Sequence, residues 1–501
     1  MSRIATKSIA LAATAAFTVA TPLAFVPSST AQETPAATTT AAPNAQAIDI
    51  NRTGRLTIDK RNGEVGSTTP LEGTTFRLER VTTGPLNTAA GWADVSRIAG
   101  GAVSAATIEG TPIEKTTDAA GQAVFGDLAV GMYRVTELVN GKYTVAAPFF
   151  VTLPLMDNGT PNYTPTISPK NQEIKPTKGA QDTNVNVGDN ITYTINAPVP
   201  AGDVLRDGTR TISEFSITDP LQSDLSYAAN TATVTYTGAN GLTDPVADTD
   251  YKLTTNTNNT VSVVFTPAGL AKLATDRAAN PGLQVVLKFQ ARVNSIPANG
   301  QINNTAEVKL PNRPPIQTVP ESTNDGTGND TRTTYANVQV TKTLNDNAVD
   351  DNANGAGAEF QIFACTGADG KYTVEAGAQP VVGTIETGNE KAGATLTAQG
   401  AVPSAAVANG YALQFDPEKT YCAVETKAPA KFLINPDPKP LSQTGATPAG
   451  RPLYTVTVND VRDNIWGRLP ATGERTMLIM LALGLVLFGG GAAYQLRRKN
   501  A

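Results

Sequence analysis

Three lysines lie where strand alternation turns them toward an apolar face. In Leu56-Thr57-Ile58-Asp59-Lys60 and Val338-Gln339-Val340-Thr341-Lys342, residues two apart point the same way, so Lys60 goes with Leu56 and Ile58, and Lys342 with Val338 and Val340. Lys178 is in register with Ile174 and Pro176. Carboxyl groups show the same pattern: Glu137 follows Tyr133 and Val135, Glu425 follows Tyr421 and Ala423, and Asp219 follows Phe215 and Ile217. A lone buried ammonium or carboxylate is expensive, so such groups are kept as pairs, as strand-end charges or for chemistry. Desolvation favours the neutral amine and the neutral acid, and a neutral lysine is a nucleophile. At any single lysine the plainer alternative is an edge-strand cap whose ammonium reaches back to water. Three lysine-plus-carboxylate sets weigh against that alternative.

Other chemistries are excluded by composition. The chain has no histidine, which removes Ser-His-Asp and Cys-His catalysis and His-ligated zinc. No enzyme activity, cofactor or metal site is expected. The Asn/Asp-rich run 322–330 reads as a solvated linker rather than a calcium loop. Net charge is −5 and the basic residues do not cluster, so a nucleic-acid partner is not expected.

The elements that must position these groups are short strands. The chain is rich in Thr, Val, Asn, Gly and Pro and poor in long helical periodicity, a pattern of all-β sandwiches. Residues 1–31, with Arg3, Lys7, an apolar run and Ser29-Thr30-Ala31, read as a secretory signal peptide. Residues 32–47 read as a disordered Thr/Ala/Pro linker. Three domains then follow, 48–170, 171–329 and 333–464. The first and third share a plan: the lysine-ended strand, an apolar strand at Phe76-Arg77-Leu78 or Phe360-Gln361-Ile362, and a Tyr-x-x-x-Glu strand. Cys365 and Cys422, in an exported chain, are expected to form a disulfide between neighbouring strands.

The C-terminus, 469–501, carries Leu469-Pro470-Ala471-Thr472-Gly473, an apolar stretch 477–496 long enough to span a bilayer, and Arg497, Arg498 and Lys499. This arrangement resembles a sortase sorting signal, in which cleavage between Thr and Gly passes the Thr472 carboxyl to an amine. With the inward lysines and the Tyr-x-x-x-Glu strands, the chain resembles backbone pilins of sortase-assembled Gram-positive pili of the corynebacterial and actinomycete type. The resemblance implies three tandem Ig-like, CNA-type sandwiches, CnaB-like at either end and CnaA-like in the middle. It also implies self-formed amide (isopeptide) bonds: Lys178 to Asn304 assisted by Asp219, Lys60 to Asn171 assisted by Glu137, and Lys342 to Asp460 assisted by Glu425. Asn304 is in register with Ile302, Ala306 and Val308, Asn171 follows Ile167 and Pro169, and Asp460 shares the face of Val456 and Val458. Asn459 has the more usual residue type and stays open as the third acceptor.

For the amine that receives Thr472, the resemblance points to Lys170 in Pro161 to Lys170, where Ile167, Pro169 and Lys170 match the pilin motif and its Trp and Tyr are missing. Lying opposite Ile167 and Asn171 in register, Lys170 is expected to face outward. The implied partners are identical subunits, pilus-specific and housekeeping sortases, peptidoglycan, and possible minor pilins and host receptors. The implied location is an extracellular pilus anchored to the cell wall. The competing reading is a monomeric wall-anchored adhesin with the same sandwiches as its stalk.

Overall fold

A computed structural model describes residues 48–463, apart from 65, 206–207, 240, 256–258, 322–330, 345–354, 386–389, 403–404 and 417. The expected signal peptide, the linker 32–47, the stretch 322–330, the sorting motif and the span 477–496 lie outside the described residues.

The described chain is built of strands, as its alternating sequence requires. In the N-terminal region, Thr53–Asp59 sits centrally in a three-stranded sheet. It runs antiparallel to Gln122–Ala129 and parallel to Thr166–Ile167. The facing sheet orders Ile108–Thr116, Thr75–Val81, Gly131–Glu137 and Phe149–Leu153. Leu56, Ile58, Phe76, Leu78, Phe125 and Val135 fill the space between the two sheets.

The C-terminal region repeats this plan. Thr331–Leu344 is antiparallel to Ala405–Gln414 and parallel to Pro452–Asp460, and Glu359–Ala368 is antiparallel to Thr420–Lys427. Even the register recurs: Phe76 pairs with Glu137, and Phe360 pairs with Glu425. Cys365 and Cys422 are joined across those last two strands and close a separation of 57 residues. In the chain-entropy model such a bridge contributes about 4 kcal/mol.

Between them, a six-stranded and a five-stranded sheet enclose the largest apolar core, with Tyr193, Phe215, Phe265 and Phe289 at its centre. Here Thr177–Gln181 is antiparallel to Asn190–Pro198 and parallel to Val319–Pro320. The strand Thr331–Leu344 belongs to both neighbours. Its first residues pair with Gln301–Asn304, and the remainder pairs within the C-terminal region.

Two α-helices occur among the described residues, Ala89–Ala99 and Pro267–Ala279. The composition gave no reason to expect them. Both have a local cause: the Thr88 and Thr266 hydroxyls accept from Gly91 and Gly269 N–H, and Pro267 occupies the first helical turn, where no N–H is needed. No described helix is long and apolar enough to cross a membrane.

Candidate functional sites at three buried lysines

Lys60, Lys178 and Lys342 are each 0% exposed. Lys60 immediately follows its strand, and its Nζ lies 2.7 Å from Glu137 Oε2 and 2.7 Å from Asn171 Oδ1. The Asn171 carboxamide nitrogen donates to Glu137 Oε1, which closes a triangle of amine, carboxamide and acid. Ala146 N–H donates to Glu137 Oε2 at 3.3 Å. Asn171 reaches this core because Lys170–Asn171 pairs parallel with Arg61–Asn62. Burial lowers the Lys60 pKa, against the attraction of Glu137.

In the middle region Lys178 Nζ contacts Asp219 Oδ2 across the two sheets. Burial pulls the Lys178 pKa down to about 8 and raises that of Asp219. Asn304 ends its strand beside this pair. Its carboxamide is enclosed and makes no hydrogen bond of ordinary geometry, yet it lies close enough to act on the Asp219 carboxyl and the Tyr193 hydroxyl. A buried carboxamide with its hydrogen bonds unmade is costly, so this residue type needs another reason to be there. Lys175 stands outside, paired with Glu173 at 2.9 Å.

At the third site Lys342 Nζ is 3.0 Å from Glu425 Oε1 and also contacts Asp460 Oδ1. Asp460 is buried, and its pKa is raised to about 7, first by desolvation and further by Glu425. Asn459 turns the other way and accepts from the Thr343 hydroxyl at 3.1 Å, so Asp460 is the group against the amine. Asn435 N–H donates to Glu425 Oε2 at 2.7 Å, the counterpart of Ala146 on Glu137.

An aromatic ring lies near each lysine: Phe76 at 5.6 Å, Tyr193 at 4.8 Å and Phe360 at 5.9 Å from Nζ to ring centroid. These rings keep water from the amines. Phe76 and Phe360 occupy the same register position opposite Glu137 and Glu425, a signal present in the repeat.

Lys170 lies on the face opposite buried Asn171, as its register predicts, but it is half-buried there and lines a cavity of about 740 Å³ with Ala146, Ile167 and Asp203. Desolvation lowers its pKa, against the pull of Asp59. Register alone had set it opposite Asn171, and the neighbouring region covers that face.

Comparison with known proteins then places the chain. Residues 35–172 match the model for the N-terminal D1 domain of Gram-positive pilin subunits, and 467–501 match the LPXTG cell wall anchor motif. The type 1 fimbrial subunit of Actinomyces viscosus is 31% identical, over 91% of this chain and 93% of that protein. The type 2 fimbrial subunit of Actinomyces naeslundii is 28% identical, over 92% of this chain and 93% of that one. Among solved structures, the major pilin SpaD of Corynebacterium diphtheriae superposes with a TM-score of 0.58 at 22% identity, covering 83% of this chain and 99% of SpaD. The SpaA pilin of the same organism, reported with stabilizing isopeptide bonds in a modular pilus assembly, gives 0.52 at 22% identity, covering 82% of this chain and all (100%) of SpaA.

Proposed function

Because the chain belongs to the fimbrial subunits of Gram-positive bacteria, we propose that it polymerises through an amide between Thr472 and Lys170 of the next copy, each copy being cross-linked internally at three lysines. The protein is a sortase-assembled major pilin, a structural subunit of a cell-wall-anchored extracellular pilus. The proposed units are three tandem sandwiches, 48–170, 171–329 and 333–464, with one cross-link at each buried lysine, the first reaching Asn171 at the boundary with the second unit.

The observation that carries the cross-links is the closed triangle at Lys60, with amine, carboxamide and acid in mutual contact and out of water. In the proposed step the neutral Lys60 amine attacks the Asn171 side-chain carbonyl carbon. Glu137, protonated, donates to the carbonyl oxygen and relays the amine's proton to the leaving nitrogen. A C–N bond forms, the original C–NH2 bond breaks, and ammonia departs. Lys178, Asp219 and Asn304 follow the same course. At Lys342 the acceptor is the Asp460 acid, so water leaves and Glu425 relays the proton. Replacing a buried ion pair by a neutral amide also removes the desolvation cost that such pairs carry.

Intact-mass spectrometry of the folded ectodomain tests this reading. The expected deficit is two ammonias, one water and two hydrogens for the disulfide. A mass equal to the sequence with only the disulfide rules the cross-links out. For the polymer, Lys170→Ala is expected to leave a folded, wall-anchored monomer and no high-mass ladder on a blot of wall extract. An unchanged ladder would assign the link to another lysine, and a single band from the unaltered chain would favour the monomeric adhesin.

A further inference from the structure

Asn171, the acceptor of the N-terminal site, is followed by Gln172, which joins the N-terminal region to the middle region. Gln172 N–H donates to the Thr144 hydroxyl at 2.9 Å, and its side-chain oxygen accepts from Ala201 N–H at 2.7 Å. Its side-chain nitrogen donates to Glu64 Oε1, and the same oxygen accepts from the Arg277 guanidinium. Arg277 is buried in the last turn of Pro267–Ala279 and is fixed by donation from Nε to the Val199 carbonyl at 2.7 Å. Gly63, beside Glu64, donates its N–H to the Asn171 carbonyl at 2.7 Å. Both ends of the contact set therefore close on the acceptor residue.

The acid is gripped from the same side. Ala146 N–H binds Glu137, while the next amide, Ala147, donates to Asp203 Oδ1 at 3.5 Å. Asn312 donates to the Val145 carbonyl at 3.3 Å, and Arg313 to the Gly141 carbonyl at 2.9 Å. Asp203, Asn312 and Arg313 all belong to the middle region.

We propose that the N-terminal site is completed by the middle region, with Arg277 as a positioning residue that acts through Glu64 and Gln172 to hold the Asn171 carboxamide against Lys60 and Glu137. This inference rests on the cross-link reading above. It makes the Lys60–Asn171 amide a record of docking: the bond closes only after the two regions have met. The Lys178 and Lys342 sites make no use of this contact set: the Asn304 strand is held by the first residues of Thr331–Leu344, and Lys342, Glu425 and Asp460 come from the C-terminal sheets. A buried guanidinium suits this task, because it spans two acceptors in a fixed fork and stays charged when desolvated. An isolated N-terminal sandwich would keep the backbone bonds of the acceptor strand to Arg61–Asn62, Gly63 and Thr144 but would have the Gln172 and Glu64 side chains without their middle-region partners.

The test uses the full chain, recovered unfolded and unlinked from inclusion bodies, refolded, quenched at intervals and digested. Mass spectrometry then follows the peptides joining Lys60 to Asn171 and Lys178 to Asn304 in the same sample. Arg277→Met and Glu64→Ala are each expected to slow the first link on the order of tenfold or more, the size of effect that misplacement of a reacting group produces. The Lys178 link should keep its rate, and Arg277→Lys, which keeps the charge but not the fork, should recover only part of the loss. A general loss of stability would slow both links together. If Arg277→Met does so, Glu64→Ala, which lies outside the middle core, decides: selective slowing supports the positioning role, and an unaltered rate overturns it. First-link formation at the normal rate in both variants also overturns it, while leaving the cross-links standing. An unaltered chain with no Lys60–Asn171 peptide would sink the cross-link reading itself, and the positioning role with it.

Discussion

The middle and C-terminal sites use one arrangement, a lysine facing a carboxyl across two sheets, with different acceptors. Lys178 faces one acid, Asp219, with the Asn304 carboxamide beside that acid, while Lys342 faces two acids, Glu425 and Asp460. For the proposed cross-links, the difference lies in the proton count. The middle site needs a neutral amine and one protonated acid, the same number of protons as its ion pair, so proton transfer within the pair reaches the reactive form. The C-terminal site needs a neutral amine and two protonated acids, one proton more than an ammonium with two carboxylates. Burial supplies that proton by raising Asp460 to about 7. Desolvation thus does the same work in both cores, but on the amine and acid in one and on the acceptor itself in the other.

The largest expected effect breaks the comparison outright. Asp219→Ala should abolish or slow the middle cross-link on the order of a hundredfold or more, the scale of a lost general acid. Peptide mapping should then recover free Lys178 and Asn304 beside an intact Lys342–Asp460 link. Loss of both links would mean that the sites are not independent.

Next in size is the exchange of leaving group. Asp460→Asn should still cross-link, now releasing ammonia instead of water, so the linked peptide keeps its mass while the parent chain is lighter. Failure to link would show that the third site is tuned to an acid acceptor.

A smaller effect separates the sites by pH. Asp460 binds its proton below about 7 and Lys178 loses its proton above about 8, so C-terminal linking should slow as pH rises through 7 while middle linking holds until about 8. Refolding of unlinked chain on either side of that interval, with both peptides followed, measures this. Equal profiles would refute the proton count.

The smallest effect concerns the disulfide, found beside only one of the two sites. Cys365→Ala with Cys422→Ala should cost roughly 4 kcal/mol in a Lys342→Ala background. It should cost less where an amide between Lys342 and Asp460 already closes the loop of chain that contains both cysteines. Denaturant unfolding of the four combinations closes the cycle.

Much of this was legible from spacing. Alternation placed Lys60, Lys178, Lys342, Glu137, Asp219, Glu425, Asn171, Asn304 and Asp460 inside, and each is buried. The helices were missed because an all-β composition hid two short insertions, although Thr266-Pro267 is a legible start signal. Arg277 and Asp203 were missed because nothing local distinguishes them. One is a helix-end arginine and the other follows a turn glycine, and each matters only through what packs against it.

The sequence by itself determined which residues face inward, because alternation is a property of the backbone and needs no partner. It also narrowed the candidate reacting groups of the proposed cross-links to amines, amides and acids, since no histidine is present. Only the tertiary structure decided which of them meet. Lys60 reaches Glu137 across 77 residues and Asn171 across 111, separations over which no local period carries information. It decided too that Asp460 rather than Asn459 lies against Lys342, and that Lys170 lies half-buried in a cavity. Which surfaces lose their water depends on how sheets and neighbouring regions close over one another, and desolvation, the cause of every pKa shift these sites use, exists only once they have closed.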